Sequence, residues 1–93
     1  MKKRFAWNDE KNDWLRANRG ITFEEIVFFI ESGYLLETVE HPNKDRRPNQ
    51  KMFAVMVNHY VYLVPFVEDD ATVFLKTIIP SRKATQKHRK GEK

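Results

Sequence analysis

The chain has 93 residues, no cysteine, and 17 basic against 13 acidic residues, for a net charge of +4. That length holds one thin core and no second one. Without cysteine there is no disulfide, thiolate metal site or cysteine nucleophile. With 41% hydrophobic and 32% charged residues, the composition is that of a globular domain, expected over residues 1–90 with a basic, frayed tail over 88–93.

Phe5-Ala6-Trp7 reads as an opening strand. Asn8 then caps a helix predicted over Asp9–Arg19, with Asp9 and Glu10 in the first turn, where carboxylates favour the helix dipole. Gly20 stands at the C′ position. Thr22-Phe23-Glu24-Glu25 is a capping box, with Ile21 and Ile26 at the staple positions, and it opens a second helix predicted over Phe23–Ser32 and ended by Gly33. The period then changes. Tyr34–Glu40 reads as a strand and His41–Gln50, with two prolines, as a loop. Met52–Val57 and Tyr60–Val67 are strands joined by an Asn58-His59 turn, with Pro65 marking a bulge or a non-donating position. Glu68-Asp69-Asp70 is a turn, Thr72–Ile79 a further strand, and Ser81 caps a basic helix over Arg82–Lys90. The order β-α-α-β-β-β-β-α predicts an α+β, two-layer domain in which an N-terminal strand and a helical hairpin pack on an antiparallel sheet.

Charge is blocked along the chain. Residues 20–40 hold five glutamates and no base, whereas 43–51 and 81–93 are strongly basic. Blocks of one sign create fields that attract a polyanion. The uncharged run Val55–Val67 is too short and interrupted to span a bilayer, and the opening residues lack an apolar leader core. A cytoplasmic, non-membrane protein is expected.

Most standard chemistry is unsupported. The glycines build neither a P-loop nor a dinucleotide fingerprint. His41, His59 and His88 have no zinc-ligand spacing, and Ser32 and Ser81 are explained by helix ends. No metal or cofactor is expected. Glu37 and Glu40 fall on opposite faces of a regular strand. Alternation predicts Phe74, Lys76 and Ile78 on one face and Val73, Leu75, Thr77 and Ile79 on the other. It also groups Lys51 with Phe53, Val55 and Val57, and Tyr60 with Tyr62, Val64 and Phe66. Such aromatic faces serve either as base-stacking platforms or, more commonly in small domains, as core.

The stretches Phe5-Ala6-Trp7-Asn8-Asp9-Glu10-Lys11-Asn12 and Arg19-Gly20-Ile21-Thr22-Phe23-Glu24-Glu25, with the closing Ile78-Ile79-Pro80-Ser81-Arg82-Lys83-Ala84, resemble the BrnT-type toxins. Arg19 stands where that family carries histidine, and residues 41–51 depart from its common middle segment. The resemblance implies a RelE/ParE-like fold and the toxin of a bacterial type II toxin–antitoxin pair. It implies a metal-independent ribonuclease, neutralised by a ribbon-helix-helix antitoxin whose complex binds operator DNA. Self-association, with or without the antitoxin, stays open. Strand cleavage by the ribose 2′-oxygen needs a base, an acid and cations. The candidates are Lys51, Lys76, Arg82 and Lys83 as cations, Glu40 (or Glu37) as base and His59 as acid or base. Arg46, Arg47 and Lys87 would add RNA contacts. The alternatives are a non-catalytic BrnT-like interaction module and a simple basic RNA- or DNA-binding domain.

Overall fold

A computed structural model describes residues 3–40 and 51–90. The elements run β1 (Arg4–Trp7), α1 (Asp9–Arg19), α2 (Phe23–Phe29), β2 (Leu35–Glu40), β3 (Lys51–Val57), β4 (Tyr60–Glu68), β5 (Thr72–Leu75), β6 (Ile79–Pro80) and α3 (Arg82–Lys90). Among the described residues the fold is α+β, with three helices and a six-stranded sheet in the order β1-β5-β4-β3-β2, where β6 extends the pairing along β4.

Local chemistry sets the helix ends. The Asn8 side chain accepts from the Lys11 amide at 3.0 Å. Thr22 and Glu25 form both halves of the capping box. Gly20 takes a φ of 66° in closing α1, a conformation that a side chain would strain. Asn12, buried in α1, joins the two helices: its carbonyl accepts from the Phe23 amide at 2.8 Å, and its amide donates to Glu24 at 2.7 Å. That bond holds the Glu24 carboxyl below its usual range. The Asn58-His59 turn has φ values of 51° and 71°, the left-handed pair of a tight hairpin.

The core lies between the sheet and the hairpin of α1 and α2. Leu15, Ile21, Phe23 and Ile26 pack on Phe53, Val55, Val57, Val64, Phe66, Val73, Leu75 and Ile78. Phe53 and Phe66 stack at 3.9 Å, and Trp7 stacks on Phe23 at 5.7 Å. The aromatic face beside Lys51 is therefore core and not an open platform for bases.

Several expectations are corrected. The sheet is mixed, because β1 runs parallel to β5. It also has helices on both sides. α3 packs on the opposite face, over Ala54, Met56, Val61 and Leu63, so the arrangement exceeds two layers. α2 ends at Phe29 and gives way to a π-helical turn, Ile30–Tyr34, that Gly33 closes at φ 97°.

The strand expected over Thr72–Ile79 is interrupted. Phe66 stands opposite Leu75, but Leu63 stands opposite Ile79, so residues 76–78 contain one residue more than β4 does. This bulge lies beside Pro65, whose missing N–H weakens the ladder there and whose carbonyl accepts from Lys76 N at 2.8 Å. The extra residue inverts the alternation and sends Ile78, in place of Thr77 and Ile79, into the core.

A second bulge falls in β2. Leu35 pairs with Val55, yet Glu37 pairs with Ala54, leaving Leu36 as the extra residue. Leu35 therefore faces the core, while Glu37 and Val39 turn to the α3 side.

Candidate functional site

On the α3 side of the sheet lies a hollow of about 420 Å³, bounded by β2, β3, β4 and α3. Val39, Met52, Ala54, Leu63 and Ala84 give it an apolar lining, and Glu37, Glu40, Ser81, Lys83 and Lys87 give it polar groups. α3 is held over it by local bonds. Ser81 Oγ accepts from Ala84 N at 3.1 Å. Ser81 N donates to the Val61 carbonyl at 3.0 Å. Thr85 Oγ1 accepts from Val61 N at 2.8 Å and donates to the Ser81 carbonyl at 2.7 Å.

The charged centre is Glu37. Its Oε2 lies 3.0 Å from His88 Nε2 and 3.3 Å from Lys87 Nζ. The His88 contact, and after it the Lys87 contact, holds the Glu37 carboxyl below its usual value of 4.5. Glu37 is therefore ionised at neutral pH and can only accept, so His88 Nε2 carries the hydrogen. In that tautomer the other ring nitrogen, Nδ1, is an acceptor. The Leu36 bulge produces this pair by rotating Glu37 toward the helix.

The expected site residues divide. Lys83, Glu40 and Lys87 come together around the hollow, but Lys51, Lys76, Arg82 and His59 lie outside it. Lys51 starts β3 at the sheet end, where its ammonium is 3.9 Å from Glu68; Glu68 also bonds Lys3 at 2.9 Å. Lys76 is exposed on the β5–β6 bulge, 5.5 Å from the Phe74 ring centroid. Arg82 is exposed on the first turn of α3. His59 sits in the hairpin turn beside a separate hollow lined by Phe29, Tyr34, Met56 and Asn58. Arg46 and Arg47 fall outside the described residues.

His88 escaped sequence reasoning. A usable signal was present: Ser81, Ala84, Thr85 and His88 recur at the spacing of one helix face, so His88 shares the buried side of α3.

Among the described residues no group of three or more acidic or histidine side chains could hold a metal ion, and no helix is long and apolar enough to cross a membrane. No protein-family model, curated protein or solved structure matches the chain.

Proposed function

We propose that this chain is the toxin of a bacterial type II toxin–antitoxin pair, built on a RelE/ParE-like plan, and that it cleaves RNA without a metal ion at the hollow beneath α3. In the cell a ribbon-helix-helix antitoxin neutralises it, and the pair binds operator DNA. The observation that carries the reading is the Glu37 carboxylate joined to both His88 and Lys87 at the wall of a hollow that Lys83 also lines.

Those groups suit transphosphorylation. His88 Nδ1 takes the proton of the ribose 2′-hydroxyl as the 2′-oxygen bonds to the adjacent phosphorus. Glu37 holds the ring and stabilises the imidazolium that forms. Lys83 and Lys87 offset the negative charge on the phosphorane. The phosphorus–5′-oxygen bond then breaks, and water at the open mouth protonates the leaving oxygen. The products are a 2′,3′-cyclic phosphate and a 5′-hydroxyl end.

The test is purified chain incubated with RNA in excess chelator. Fragments with cyclic phosphate ends, lost in His88→Ala and diminished in Glu37→Gln, are expected. Intact RNA, together with unimpaired growth of cells expressing the chain, would overturn the reading and leave a non-catalytic interaction module.

A further inference from the structure

Glu37, Glu40, Ser81, Lys83 and Lys87 form the polar part of the lining, and the rest of the hollow is an apolar floor. Val39, Met52, Ala54, Leu63 and Ala84 present an apolar surface there. Its volume, about 420 Å³, falls within the range of small-ligand sites, which characteristically combine an apolar lining with a few polar groups. Of the parts of a ribonucleotide, the ribose and phosphate are polar and belong beside Lys83 and Lys87. Only the base has an extended flat face suited to such a floor, and a methionine sulfur or methyl packs well on an aromatic ring.

Resting on the cleavage reading for its RNA ligand, we propose that this hollow is a nucleobase subsite taking one unpaired purine next to the scissile phosphate.

Three consequences follow from the lining. A base held in the hollow has left its stack and its partner, so the substrate strand is single-stranded at that nucleotide. The two-ring purine covers more of the apolar floor than a pyrimidine and binds several-fold better. The floor residues Val39, Met52, Ala54, Leu63 and Ala84 carry no side-chain donor or acceptor to meet the Watson–Crick edge, so adenine and guanine are taken about equally.

Met52 is the reporter. It lies in the floor, while Met56 is on the same sheet face but outside the lining. The full chain, labelled at its methionine methyl carbons, is titrated with AMP, GMP, CMP and ribose 5-phosphate and followed by NMR. AMP and GMP should shift the Met52 methyl and leave Met56 in place, CMP should act at several-fold higher concentration, and ribose 5-phosphate should leave Met52 unmoved. Ala54→Leu, which fills the floor, should weaken the AMP response at least tenfold. Ala84→Leu does the same from the helix side, in case the strand variant fails to fold.

An equal shift with ribose 5-phosphate, or no shift with any nucleotide, overturns the subsite. A parallel assay separates the two readings. An oligoribonucleotide cut as fast with an abasic residue before the scissile phosphate as with adenosine there removes the subsite and keeps cleavage. RNA left intact while Met52 responds to AMP removes cleavage and keeps the subsite.

Discussion

The two faces of the sheet are built differently. The face under α1 and α2 is closed by apolar contact: Leu15, Phe23 and Ile26 are fully buried against Val55, Val64 and Leu75, and the buried polar residues at the helix junction, Asn12 and Thr22, are hydrogen-bonded. The face under α3 has a smaller apolar patch, centred on Ala54, Met56 and Val61. Its helix is tied down by Ser81, Thr85 and the Glu37–His88 contact. Apolar contact is non-directional and fills space, whereas hydrogen bonds fix a helix at a few points and tolerate a gap between them. A small domain can therefore draw stability from one face and keep a lined hollow on the other.

Substitutions should separate the faces. Phe23→Ala empties the first face and should cost about 3–5 kcal/mol in urea unfolding, enough to unfold much of a domain this small. His88→Ala should lower RNA cleavage by about 10²- to 10⁴-fold with a shift in unfolding midpoint too small to account for it. Comparable losses of stability from the two substitutions would erase the distinction between the faces. Thr85→Val leaves the buried Val61 N–H without its acceptor and should cost about 1–3 kcal/mol. Hydrogen exchange should show faster opening of β4 near Val61 than of β3 near Val55.

The smallest effect is on acid stability. The folded-state pKa of Glu37 lies below its ordinary 4.5, so below that value the unfolded chain binds more protons than the native one. The stabilisation is complete above the ordinary value and drains away as pH falls through the lowered one. Glu37→Gln should flatten that part of the pH–stability curve through a small loss of stability at neutral pH and none in acid; the loss is small because the side chain is partly exposed and screened by solvent.

The sites readable from sequence and those that were not differ in the range of the interactions that make them. Asn8, Gly20, the Thr22–Glu25 box and the Asn58-His59 turn act within three or four residues, and each does in the structure what its local sequence predicts. Lys83 and Glu40 were reachable because one sits on a basic helix start and the other on a short strand. Glu37 and Glu40 alternate as a regular strand predicts, because the bulge precedes Glu37, but which of the two faces α3 depends on the extra residue at Leu36. His88 was passed over because a histidine on a basic helix resembles a solvated one until its face is worked out.

The sequence alone determined the helix starts, the tight turn, the α+β class and the apolar periodicity that builds the first face, since all of these follow from neighbours along the chain. Only the tertiary structure decided the parallel pairing of β1 with β5, the side of the sheet that α3 covers, and the two bulges that reverse Ile78 and Glu37. The Glu37–His88 contact joins residues 51 positions apart. It forms because a single extra residue at Leu36 turns a strand over, and which residue becomes the extra one is settled by pairing with β3.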